Sequence, residues 1–119
     1  MNHLELGVFG ETLAATFLSK KGYTIVARNI HCKKTEIDIV ALDKETLVIV
    51  EVKTRQTTQI GEPWKAVNRR KQKHLIAAAN YYICENKIDR NIRFDIVSIV
   101  HTHFQTNIEH FVDAFYPIL

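Results

Sequence analysis

At 119 residues, with 46% hydrophobic and 24% charged side chains, the chain has the size and composition of one soluble globular domain spanning 1–119. A formal charge of +3 permits nucleic acid as a partner without demanding it, because the distribution of charge matters more than the sum. Cys32 and Cys84 lack metal-site spacing, the N-terminus has no secretory leader, and no apolar run approaches the roughly 18 residues of a membrane span, which predicts reduced thiols, no membrane association and a cytoplasmic location.

From about His3 to Lys20, the side chains Leu6, Phe9, Leu13 and Phe17 recur at three- and four-residue steps and predict an amphipathic helix ending before Gly22. Glu11 lies off that stripe, on a flank with Gly7, Ala14 and Leu18. A glycine inside a helix costs about 1 kcal/mol relative to alanine, so Gly7 and Gly10 predict close approach of another backbone beside Glu11; a solvated glutamate on an ordinary helix is the alternative. Tyr23–Asn29 alternates as an edge strand does, and Ile30–Lys34 makes a basic connection onward.

The stretch from Thr35 to Arg55 carries the chemistry. Two β-branched runs, Glu36–Ala41 and Leu47–Lys53, flank the polar tetrad Asp43-Lys44-Glu45-Thr46, which signals a hairpin. Strand side chains alternate faces, so Glu36 pairs in parity with Asp38, and Glu51 with Lys53. A turn centred between Lys44 and Glu45 sets Asp38 opposite Glu51 and Glu36 opposite Lys53. Two carboxylates about 5 Å apart repel by roughly 3 kcal/mol at an effective dielectric of about 20. Protonation of one acid, or a divalent cation such as Mg²⁺ between them, offsets this, and Lys53 then supplies positive charge beside a reacting phosphate. The alternative is a Glu36–Lys53 ion pair with Asp38 and Glu51 at solvated strand ends. The run Leu47–Val52 is apolar on both faces, as in a central strand, and ligands meet such strands at their ends.

Gln56–Glu62 reads as a polar loop, and Pro63 suits a first helical turn. From Trp64 to about Asn86 the predicted helix has a stripe of Trp64, Val67, Leu75, Ala78 and Tyr82, with Lys71 inside it. An inward lysine can run along apolar surface to a polar site, and the carboxylate pair is the nearest one. Arg69, Arg70, Lys73 and His74 occupy the other faces, as the densest basic cluster or as a simple solvated face. Few aromatic residues interleave with them, so stacking on single strands as the main mode of binding is not indicated. Ile92–Val100 reads as a strand with Arg93, Asp95, Val97 and Ile99 on one face. The tail suggests a last hairpin turning at Thr106-Asn107, and His101 and His103, lacking a third ligand, read as surface histidines.

The segments G-V-F-G-E, E-I-D-I-V, E-V-K-T-R and R-F-D-I-V resemble the YraN-like family of small bacterial proteins, from Gly7 to Phe115. That resemblance implies a restriction-endonuclease-like α/β fold: an α-β-β-β-α-β core, with a mixed central sheet flanked by helices. More distantly, a helix glutamate, a strand aspartate and an E-x-K are similar to the arrangement in archaeal Holliday-junction resolvases. Carried onto these positions, it makes Asp38 and Glu51 the principal ligands of a Mg²⁺ or Mn²⁺ cofactor, Glu11 an accessory ligand, and Lys53 the lysine that positions or activates water. Asp38, Glu51 and Lys53 are thus the expected catalytic group. Thr35 departs from the glycine usual before E-x-D, and Ile37 from the proline of many restriction enzymes. The resulting expectation is metal-dependent hydrolysis of DNA, with branched intermediates and a homodimer as the forms to test. Arg55, Arg69, Arg70, Lys71 and Lys73 are the expected contacts to the DNA backbone. The alternative is a non-catalytic nucleic-acid-binding or protein-assembly module of the same fold.

Overall fold

The computed structural model describes residues 1–57 and 61–117. Helix α1 spans His3–Lys20, followed by strands β1 (Thr24–Cys32), β2 (Thr35–Asp43) and β3 (Thr46–Arg55). A 3₁₀ turn at Pro63–Ala66 leads into α2 (Arg69–Glu85), and β4 (Ile92–His101) and β5 (Thr106–Phe115) complete the chain. The first six of these elements, leaving the 3₁₀ turn aside, give the expected α-β-β-β-α-β order, and β5 adds a fifth strand. The sheet order is β1-β2-β3-β4-β5, with β3 and β4 parallel and the other neighbours antiparallel. A parallel pair needs a long crossover, and α2 supplies it.

Helix α1 begins with a capping box, in which Asn2 accepts from the Glu5 amide at 2.8 Å and Glu5 accepts from the Asn2 amide at 2.9 Å. It covers one sheet face through Ala14, Ala15 and Leu18 against Ile39, Val48, Val50 and Val97. Helix α2 covers the other through Leu75, Ala78 and Ala79 against Val40, Leu47, Ile49 and Phe94. Leu47–Val52 is buried throughout, as a central strand with two covered faces requires.

The β2–β3 register pairs Val40 with Ile49 and Ile39 with Val50, the alignment expected from a turn at Lys44-Glu45. Three boundaries differ from expectation. Strand β1 runs on to Cys32, its last residues paired with β2, so the expected connection Ile30–Lys34 shrinks to Lys33 and Lys34. The helix expected from Trp64 is split, because the Asn68 side chain accepts from the Lys71 amide at 3.0 Å and caps α2 there. The last hairpin turns at Thr102–Gln105, with Thr106 already paired to His101. Of the expected loop 56–62, residues 58–60 lie outside the described residues, as do 118–119 of the tail.

Candidate metal centre at the end of the central strands

The site forms where β2 and β3 part. Their ladder runs to Ile39–Val50, and beyond it the Val52 amide donates to Asp38 Oδ2 at 2.9 Å instead of to a backbone carbonyl. On the other side of β2, Asn29 lies between the paired residues Arg28 and Ile30 with φ 53, a left-handed conformation in mid-strand. The apolar neighbours record the consequence: Ile37 packs with the α2-side cluster and Ile39 with the α1-side cluster, although residues two apart in a regular strand share a face. This turn-over of β2 at Asp38 brings strand carboxylates toward both helices.

Glu11, Glu36 and Asp38 each place a carboxylate oxygen within 4.8 Å of the other two. Glu51 adjoins Asp38 from β3, with its side chain only 3% exposed. Its Oε2 lies 3.4 Å from Lys71 Nζ and 3.8 Å from Lys53 Nζ. The inward lysine of α2 therefore reaches the carboxylates. All four acids and both lysines line one pocket of about 320 Å³ at the sheet end.

Burial and mutual repulsion set the electrostatics of these acids. Burial first, then the charges of Asp38 and Glu36, push the Glu11 carboxyl up to about 7, against the opposing pull of Arg28 and a hydrogen bond from Asn29. Burial first, then Asp38, push Glu51 up to about 8, with Lys71 and Lys53 pulling the other way. Glu11 Oε1 and Glu51 Oε1 are both buried without a hydrogen-bond partner. Buried carboxylate oxygens are normally satisfied, and hard carboxylate donors around a small pocket fit a hard dication.

Several residues stand elsewhere than expected. Glu36 does not pair with Lys53: its nearest ion-pair partner is His31 of β1, at 3.9 Å, and Lys53 pairs with Glu51. The Glu36–Lys53 ion pair is thereby removed as an account of these charges, and Glu36 joins the acids. Of the two helix glycines, Gly10 abuts Thr54, where a Cβ would collide with Oγ1 and Cβ of that side chain, so the close neighbour is a side chain and not backbone. Gly7 has nothing within 4 Å of a built Cβ and lies on the pocket wall. Arg69, Arg70 and Lys73 are exposed on α2, whereas Arg55 is half-buried with its Nε unpartnered. His101 binds Thr106 Oγ1 at 2.7 Å and its ring packs on Phe9; neither it nor His103 joins a metal-ligand cluster among the described residues.

A second polar centre was not legible in the sequence. Asp95, wholly buried, accepts from Arg93 Nε at 2.9 Å, His110 Nε2 at 2.8 Å and the Asp113 amide at 2.9 Å. Arg93 also donates to Asp43 and to the Tyr23 hydroxyl. Lys21 can only donate to His110 Nδ1, so Nε2 carries the hydrogen given to Asp95. Both oxygens of Asp95 are satisfied, so this centre ties the α1–β1 connection and the end of β2 to β4 and β5. A larger hollow of about 680 Å³ lies beside Trp64 and Phe111, but its one histidine is this His110.

A profile of the uncharacterised protein family UPF0102 matches residues 10–99, which include the four acids and two lysines of the pocket. The chain is 46% identical to a UPF0102 protein of Flavobacterium psychrophilum over 114 residues, 96% of each chain. It is 44% identical to one of Phocaeicola vulgatus over 115 residues, 97% of this chain and 95% of that one. A third, of Christiangramia forsetii, is 41% identical over 96% of both chains.

Proposed function

The chain belongs to the uncharacterised protein family UPF0102, the YraN-like family whose motifs it carries, and from its site we propose that it hydrolyses phosphodiester bonds of DNA with the help of Mg²⁺ or Mn²⁺. The observation that carries this reading is the pocket itself: four carboxylates and two lysines at the end of a central strand, with buried oxygens of Glu11 and Glu51 unpartnered. Asp38 and Glu51 would hold the ion, with Glu11 on the third side. A bound dication supplies Lewis acidity toward the phosphate and toward water.

The protein's own groups do the rest. Lys53 and Lys71 place two ammonium groups on Glu51 Oε2, where they stabilise negative charge developing on a phosphate at the pocket mouth. Asp38, fixed by the Val52 amide through one oxygen, keeps the other for the pocket. Arg69, Arg70 and Lys73, exposed on α2 beyond Lys71, offer contacts to the phosphate backbone that carry no sequence information.

Calorimetric titration with Mn²⁺ tests the site. Binding that disappears in Asp38→Asn supports it. A chain that takes up no divalent ion fits instead a non-catalytic nucleic-acid-binding or assembly module.

A further inference from the structure

Beside the acid pocket lies a second groove, of about 550 Å³, between the β1–β2 hairpin tip and α2. Cys32, Ala77 and Ala78 make an apolar floor; Lys33, Lys34, Arg70 and His74 stand around it, and no carboxylate among the described residues lines it. Tyr81 closes one side with 40% of its surface exposed, and Lys33 Nζ lies 5.4 Å from its ring centroid.

The groove and the acid pocket are lined by successive residues of two elements. On β2, Thr35 lines the groove and the next residue, Glu36, lines the pocket. On α2, Arg70 lines the groove and the next residue, Lys71, reaches Glu51. To a chain of phosphates leaving the pocket on this side the groove offers cationic side chains, an apolar floor and a part-exposed tyrosine ring. A duplex presents phosphates outward and keeps its bases stacked inside, so it uses the cations but not Tyr81. A single strand uses all three, because any base can stack on an aromatic ring.

The geometry points to this groove as the seat of a single-stranded nucleic-acid segment adjoining the cleavage site, so that the preferred substrate is a duplex with an unpaired tail or branch. The proposal rests on the nuclease reading for its substrate class. It adds Lys33, Lys34, His74 and Tyr81 to the surface that holds the substrate.

Fluorescence anisotropy on the full chain in EDTA, with a labelled blunt duplex and the same duplex bearing a short single-stranded tail, provides the test. Wild type should bind the tailed form about tenfold more tightly, and Tyr81→Ala should lose most of that preference while its affinity for the blunt form changes less than about twofold. Tyr81→Phe, which keeps the ring, should retain the preference, and Lys34→Glu should weaken the tailed complex. Equal affinity for both forms, or a Tyr81→Ala chain that binds the tail as wild type does, overturns the proposal. So does displacement of the tailed DNA by polyglutamate as effectively as by unlabelled tailed DNA, which would mark the groove as a seat for acidic peptide. Because binding is read without metal, cleavage in Mn²⁺ without tail preference sinks the groove alone. Tail preference without cleavage sinks the nuclease reading alone.

Discussion

Asp38 Oδ2 accepts a hydrogen bond from the Val52 amide at 2.9 Å, and this contact replaces the next rung of the β2–β3 ladder. It fixes a carboxylate of one strand between Glu51 and Lys53 of the other. A side chain that serves as a strand pairing and, in the proposed function, as a cation ligand makes two demands that separate substitutions can pull apart.

Asparagine at 38 keeps an acceptor for the Val52 amide and removes a charge from beside Glu51 and Glu11. Asp38→Asn should therefore stabilise the metal-free protein, by up to about 3 kcal/mol, while abolishing divalent-ion binding. Asp38→Ala leaves the amide without its acceptor and should lie about 1 to 3 kcal/mol below Asp38→Asn. Thermal denaturation of the three proteins in EDTA checks the order; a melting temperature of Asp38→Asn below wild type would contradict the crowding of carboxylates.

The pH dependence follows from the same crowding. Glu11 and Glu51 hold protons in the folded state up to about 7 and about 8, while both release them near 4.5 when unfolded. Between these values the folded state binds more protons, so stability from these two groups is complete below 4.5 and falls as pH rises through 7 and 8. Asp95 acts in the opposite sense. Burial would raise it, but hydrogen bonds from His110, Arg93 and the Asp113 amide more than offset that and hold it below its usual 3.8. Its contribution is present above that value and lost in stronger acid. Denaturant titrations of metal-free protein should show stability falling from about pH 5 to about pH 9, and a saturating divalent ion should flatten or reverse the slope.

The Asp95 centre provides a structural control. Asp95→Asn leaves the Arg93 guanidinium, 17% exposed, without its buried counter-charge and should cost about 3 to 5 kcal/mol. Mn²⁺ affinity measured by calorimetry on the fraction that remains folded should be unchanged, since none of its partners lines the acid pocket.

The two glycines of α1 should answer oppositely to alanine. Gly7→Ala meets open space and should stabilise by about 0.5 to 1 kcal/mol through helix propensity. Gly10→Ala drives a methyl into Thr54 and should destabilise by about 1 to 3 kcal/mol, partly recovered in combination with Thr54→Ala. Chemical denaturation of the single and double variants reads both signs.

The β2–β3 register, the edge position of β1 and the reach of Lys71 were legible because local pattern decides them: a polar tetrad, an alternating run and a lysine within an apolar stripe. Other features depend on tertiary geometry. Glu36 enters the acid group because β1 and β2 turn over at Asn29 and Asp38, and no periodicity announces a left-handed asparagine in mid-strand. His110 reaches Asp95 from a strand whose register shifts opposite Phe94–Ile96, with Asp113 at φ 55. Tyr81 reads as one more helix residue until the hairpin tip brings Lys33 over it. The break before α2 was carried by Asn68, a capping residue that the apolar spacing of Trp64 and Val67 conceals.

The central claim is metal-dependent phosphodiester hydrolysis, and the most direct measurement is cleavage of supercoiled, branched and single-stranded DNA by the purified chain in Mn²⁺, beside Asp38→Ala prepared identically. Cleavage by wild type that vanishes in EDTA and in Asp38→Ala is the predicted result. No cleavage of any of these substrates, or equal cleavage by Asp38→Ala, would contradict it.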